Sequence, residues 1–417
     1  MTNLLMCFSK VSSKCSFTNI SIFIVGAALA LTGFWGCSKT ETTETTPNVG
    51  IVSQKTADDI AKDFFVMYHG QPNNREIEEQ TTAIENGVPL FYVYNYKGGG
   101  YLVLSADYGQ EPVLASNLDN KFPLKGEVNP GLIVWFSWIK QDEELIRQKK
   151  IVPEPATIDM WENLKNHTLK AEITHYSKED ILRMGSALKP RTGTPNTGGG
   201  RCAIIEEIYY GPLMTTEWDQ GCYYNSQITT AGNFCGRAPT GCVATSIAQI
   251  LKYHDNLNVP DVLTSENYEV AHLMQYCGSL VGMNYGADAS GAYTRNIYEV
   301  LRANRYAYNS ALYDTYDNIL HDQEIRFSAR PVILDGCTDY SCFLWWCSGS
   351  NHCHAWVSDG ERKIRTCNGG ATFFHMNWGW GGLGPNGYYY IPKPDILFPD
   401  GQHYYRYDQH LFSNIHK

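Results

Sequence analysis

Cys242 follows Ala238, Pro239, Thr240 and Gly241 and opens the stretch Val243 to His254, in which Val243, Ala244, Ile247, Ala248 and Leu251 recur at helical spacing. Proline and glycine break the chain just ahead, so the pattern predicts a helix with Cys242 in its first turn. A thiol there meets the positive end of the helix dipole and unpaired backbone amides. Both lower its pKa and favour the thiolate, the species that attacks carbonyl carbon. Acyl transfer also needs a base, and the chain offers twelve histidines. His254 shares the predicted helix with Cys242 and at about 1.5 Å per residue lies roughly 18 Å away. It suits the helix C-terminus instead.

If the chain from Asn351 to Ser358 is extended, His352 and His354 share a side and Cys353 points away. His354 leads directly into Ala355, Trp356 and Val357, a buried-strand run, and Asp359 with Gly360 reads as the turn that ends it. His375 and Asn377 share a face of the next strong strand, Phe373 to Trp378. An imidazole base needs a third group to hold its tautomer and direction, and an Asn amide on a neighbouring strand meets that need. On the residues alone, His354 with Asn377 is one of several pairings.

Taken together and in order, GCVATSIAQILKYH, RPVILDG, HAWVSDG and FFHMNWGWGGLGPNGYYYI resemble the streptopain family, bacterial cysteine endopeptidases of papain-like fold. LMTTEWDQGCYYN and MNYGADASGA are similar to two further family segments, and LFYVYNYKGGGYLVLSADYGQEPVLA is similar to the family's inhibitory propeptide. The resemblance covers roughly residues 55–150 and 205–395. It implies an α+β architecture: a two-lobed papain-like domain, its nucleophile helix packed against an antiparallel sheet carrying His and Asn, preceded by a small α+β prodomain. Carried over by position, Cys242 is the nucleophile, His354 the general base and acid, Asn377 the residue that orients the imidazole and Trp378 the ring that shields that contact. Gln220 falls where a side-chain amide joins the Cys242 backbone N–H in an oxyanion hole. The substrates implied are proteins or peptides, and the prodomain is implied to be the chain's own intramolecular inhibitor. Cys353 stands where the family usually has glycine, after a segment holding Cys337, Cys342 and Cys347. Disulfides are one reading of these extra thiols, with Cys353 to Cys367 and Cys222 to Cys235 as short loops. Zinc ligation with His352 is the other, against which the spacings lack the paired CxxC form; the reading adopted has no metal and no cofactor.

The elements that must position these residues divide the 417-residue chain. Lys10 and Lys14 precede the uncharged run Ile20 to Trp35, the order of a secretory signal over residues 1–36. Cys37 then falls where a bacterial lipoprotein is acylated, and residues 38–54 read as a polar tether. Thr56 with Asp59 predicts a helix start, followed by an apolar stripe through Ala57, Ile60, Ala61, Phe64, Phe65 and Tyr68. A hairpin over Leu90–Asn95 and Tyr101–Ser105 and a helix over Gly131–Lys149 complete a prodomain at 55–150. Residues 151–201 read as a linker whose Lys189–Arg201 stretch, rich in Pro, Gly and Thr, is exposed to the activating cut. All ten cysteines beyond Cys37 lie in 202–417, the catalytic domain, with strands expected around Arg330–Asp335, Ala355–Ser358, Phe373–Trp378 and Tyr388–Ile391.

Thirty-three basic against 43 acidic residues give a net charge of −10, which argues against a nucleic-acid binder. Gly98, Gly99 and Gly100 sit in the hairpin turn with no helix after them, so they are no phosphate cradle. The expected product is a zymogen, exported as an envelope lipoprotein or secreted after processing, that touches the membrane only through Cys37. The same thiol chemistry also permits a cell-wall amidase or a transglutaminase, and a non-enzymatic surface lipoprotein is the alternative of another class.

Overall fold

Ser53 caps the first helix, its Oγ accepting from Thr56 N at 3.1 Å, so α1 (Gln54–His69) begins ahead of the expected Thr56. The predicted stripe from Ala57 to Tyr68 is its buried face, and Gly70, in the left-handed region at φ 60°, ends it. These coordinates come from a computed structural model, which describes residues 50–126, 128–168, 172–184, 204–255, 257, 259–261, 268–303, 309–313, 315–338, 342–343, 346–347, 352–381, 384–393, 395–397, 403–405 and 409–416. The signal, Cys37, most of the tether and the Lys189–Arg201 cut lie outside the described residues.

Asn129 caps α2 (Pro130–Arg147) through Gly131 N at 2.7 Å, with proline at the first helical position, where its missing N–H costs nothing. Then come α3 (Pro155–Lys165), inside the stretch where sequence periodicity weakens, and α4 (Lys178–Met184). The nucleophile helix, α5 (Cys242–Asp255), packs against α6 (Glu269–Val281). No helix among the described residues is long and apolar enough to cross a membrane.

One sheet runs through both halves of the chain. Its path is Ile77–Glu85, Val88–Tyr96, Tyr101–Ser105, Val113–Asn117, Gly387–Tyr390, Gly369–Asn377, His352–Thr366, Val332–Thr338, Gln409–His416 and Asn309–Tyr313. Neighbours on this path are antiparallel. The upstream and downstream segments join where Tyr388 pairs with Ser116 and Tyr389 with Ala115.

The expected turn at Asp359 and Gly360 is absent: His352–Thr366 is one strand of 15 residues, with a bulge between Ser358 and Gly360. The extra residue is absorbed by a local kink, and pairing resumes with Gly360 opposite His375. The strand buries both faces, as alternation dictates. Ala355 and Val357 join Val243, Ile247 and Leu251 of α5 in one core. Trp356 joins Leu132, Trp135 and Ile139 of α2 in another.

Candidate active site

Gly241 holds φ 88°, and a Cβ there would meet Met283 at 2.7 Å, so the chain enters α5 through a position only glycine fills. Its carbonyl accepts from Thr245 N and Thr245 Oγ1, both at 3.1 Å, closing the first turn with Cys242 at its start. Cys242 is a free, half-buried thiol. Burial pushes it above its usual pKa and the charge of Asp335 adds to this; the backbone N–H groups of Ala355, Val243 and Cys242 itself pull it down. Desolvation therefore outweighs the helix-start effect that sequence reasoning invoked. The contact with Ala355 places the sulfur against the backbone of the residue after His354.

His354 itself turns the other way. It lies on the Trp356 face of the strand, its ring stacked at 6.2 Å from that of Trp356, and its Nε2–H donates to the Trp378 carbonyl at 2.8 Å. Gly131 of α2 covers it so closely that a Cβ there would lie 2.8 Å from His354 Cδ2 and 2.5 Å from Trp378 Cε3. Burial lowers the imidazole pKa to about 4, against the bond to Trp378, so the ring is neutral. Among the described residues no hydrogen bond joins the Cys242 sulfur to the His354 ring, whose Nε2–H goes to the Trp378 carbonyl instead.

Asn377 is buried at the end of its strand, its Nδ2 donating to Thr216 O at 2.6 Å and to Gln249 Oε1 at 3.1 Å. The group holding His354 here is thus the Trp378 carbonyl, one residue along from the expected amide. Trp378 is fully buried, 5.1 Å from the rings of both Trp356 and Tyr389. Gln220 reaches the nucleophile's own segment, since Thr240 N donates to its carbonyl at 2.9 Å; its Nε2 donates to Gly379 O at 3.3 Å. Gly131, Thr216 and Gln249 escaped the sequence reading. None of the three carries a local signal: Gln249 falls on the side of the predicted helix opposite the stripe through Val243, Ile247 and Leu251, where a polar residue is expected to face water.

The remaining histidines stand apart. His254 lies in the last turn of α5, and burial lowers its pKa to about 4. His375 bonds Asp359 through Nδ1 at 2.6 Å, and His352 pairs in register with Thr338. Cys222 is bonded to Cys235, as the short-loop reading had it. Cys353 is bonded to Cys337, its register partner, and not to Cys367. The continuous strand explains the correction, because fourteen residues at about 3.3 Å each separate Cys353 and Cys367 by roughly 45 Å. Cys367 is itself disulfide-bonded. Among the described residues no cluster of His, Cys, Asp and Glu is placed to hold a metal ion.

The family model described as Peptidase C10 family matches residues 218–261 and 256–389, and the one described as Spi protease inhibitor matches residues 50–142. Streptopain from Streptococcus pyogenes is 23% identical over 341 residues, covering 70% of this chain and 71% of its own. The chain is a streptopain-like cysteine endopeptidase with an amino-terminal inhibitory propeptide. Among solved structures, a fragment of prointerpain A from Prevotella intermedia covers 83% of this precursor and 99% of its own chain at 20% identity, with a TM-score of 0.49. Active interpain A from the same organism covers 50% and 96% at 24% identity, with a TM-score of 0.34. Gly131, over His354, belongs to the inhibitor-matched segment, and Cys242, His354 and Asn377 to the peptidase-matched one.

Proposed function

We propose that this precursor is exported, held at the envelope through Cys37, and activated by a cut between Lys189 and Cys202, after which Cys242 and His354 hydrolyse peptide bonds. In the mature enzyme the Cys242 sulfur attacks the scissile carbonyl carbon, forming an S–C bond. The oxyanion takes hydrogen bonds from the Cys242 backbone N–H and the Gln220 side-chain amide, each donor contributing about 2.7 to 4 kcal/mol at the transition state. The tetrahedral intermediate collapses as the C–N bond breaks and His354, as imidazolium, gives its proton to the departing amine. Water then adds to the thioester with His354 as base, releasing the acid and restoring the thiol.

In the precursor His354 is neutral, bonded to the Trp378 carbonyl and covered by Gly131, and the Cys242 thiol is protonated. Removal of the propeptide uncovers the imidazole, which then turns from the Trp378 carbonyl to Asn377 Oδ1 and Cys242. The ion pair forms only then, each charge removing the cost of burying the other. The observation that carries this reading is the Cys242 sulfur at the start of α5 against the backbone N–H beside His354.

The decisive test is Cys242→Ala in the full chain. The variant should accumulate as folded precursor with no casein hydrolysis, even after its linker is cut by added protease. Casein cleavage at the wild-type rate would refute the assignment. Labelling with a radioactive fatty acid, lost in Cys37→Ala, tests the anchor.

A further inference from the structure

Gln249 stands seven residues after Cys242 on α5, two turns on and on nearly the same side of the helix. It is fully buried. Its Oε1 accepts from Thr216 Oγ1 at 3.0 Å, from Trp218 N at 3.4 Å and from Asn377 Nδ2 at 3.1 Å, while its Nε2 has no partner among the described residues. One oxygen on the nucleophile helix therefore gathers donors from the segment leading to Gln220 and from the strand that ends in Asn377. Turning the amide over would set an NH2 group against three donors, so this orientation is fixed by its surroundings.

The consequence falls on Asn377. Its Nδ2 is held by two acceptors, Thr216 O and Gln249 Oε1, which prevents its own amide from turning. Among the described residues its Oδ1 takes only a 3.3 Å hydrogen bond from Gly379 N. That oxygen is the acceptor an imidazole N–H requires; the reversed amide would meet the N–H with another donor. A buried Nε2 without a partner among the described residues is a desolvation cost that the fold sustains while keeping the acceptor in place.

We infer that Gln249 is a positioning residue for catalysis: it locks the Asn377 amide so that Oδ1 faces the His354 imidazole of the mature enzyme. The inference rests on the proposed role of Asn377 and deepens it. Gln249 touches neither substrate nor imidazole and acts through Asn377 alone.

The test uses full-chain variants matured by an added protease and assayed on a fluorogenic peptide. Gln249→Met, which keeps the length and removes the acceptor, should lower kcat roughly 10- to 100-fold with KM within about twofold, the scale of a misdirected catalytic group. Gln249→Glu, which keeps the accepting oxygen, should recover kcat to within about threefold of wild type. In an Asn377→Ala background the methionine substitution should cost less than about twofold, because the group it positions is gone. Equal losses in both backgrounds, a change confined to KM, or no recovery with Glu would overturn the inference. Failure of the underlying reading has a different signature: Asn377→Ala alone would keep the wild-type kcat. If Gln249→Met does not fold, Thr216→Val removes one donor from the same oxygen. It should cost about threefold in kcat at constant KM, and an unchanged kcat would count against the inference.

Discussion

The guanidinium of Arg362 lies 3.8 Å from the ring centroid of Tyr68, a fully buried contact between the central strand of the protease and α1 of the propeptide. Glu207 pairs with the same guanidinium through Nε at 2.7 Å and Nη2 at 2.6 Å, so the cation reaches the ring already neutralised. A desolvated cation over an aromatic face is worth about 2 kcal/mol. Tyr68→Leu keeps an apolar side chain and removes that face. The precursor should then convert to mature enzyme up to roughly thirtyfold faster under a fixed amount of added wild-type protease. An unchanged conversion rate would mean that this contact does not hold the propeptide.

Glu111, also in the propeptide, is buried with its Oε1 unpaired among the described residues, and burial raises its carboxyl pKa to about 8 against the pull of Arg362. The folded precursor therefore keeps its proton at neutral pH, whereas the unfolded chain loses it above about 4.5. The favourable contribution is complete below pH 4.5 and is lost at about 1.4 kcal/mol per pH unit as the pH rises toward 8. Glu111→Gln cannot ionise. In urea unfolding of the Cys242→Ala precursor, its stability relative to the Glu111 parent should improve by about 2 to 3 kcal/mol between pH 5 and pH 7. A constant offset would contradict the protonated state.

Cys337 and Cys353 are register partners on adjacent strands, and their bond spans 16 residues of sequence immediately beside His354. A loop of that size predicts about 3 kcal/mol of stabilisation from restricting the unfolded chain. Replacing both by Ser should lower precursor stability by that order in non-reducing urea titrations. Equal stability with and without the bond would show that the strand pairing alone fixes this end of the sheet.

Local signals carried the parts of the fold that are locally determined. The stripe of α1, the start of α5 at Cys242 and the hairpin through Tyr101 are each written in a few adjacent residues. The pairing of Tyr388 with Ser116 joins segments too far apart in sequence for any short-range pattern to report it. Asp359 and Gly360 have the composition of a turn, and only cross-strand pairing makes them a bulge. That error propagated into the cysteine pairing, since a hairpin would have brought Cys367 back to Cys353. At the site, residue types pointed to Cys242 and His354. They could not say which helix covers each face of that strand, because α2 and α5 come from segments far apart in the chain.

Gly131 supplies the last prediction. It sits in the first turn of α2, with Trp378 Cε3 2.5 Å and His354 Cδ2 2.8 Å from where a Cβ would stand. Neither neighbour can yield easily: Trp378 is wedged between Trp356 and Tyr389, and His354 is tied to the Trp378 carbonyl. Gly131→Ala must therefore lift the start of α2 from the sheet or displace the imidazole, and overpacking of this kind costs about 1 to 3 kcal/mol. Alanine otherwise favours a helix by about 1 kcal/mol over glycine, so intrinsic propensity works against any loss and a net destabilisation is attributable to the contact. The variant precursor should mature faster than wild type and alkylate more rapidly with iodoacetamide at Cys242. Once matured, the two enzymes should hydrolyse peptide at the same rate, because the substituted residue has left with the propeptide. Slower maturation, or a difference that persists in the mature enzymes, would show that Gly131 does not hold the imidazole in its latent position.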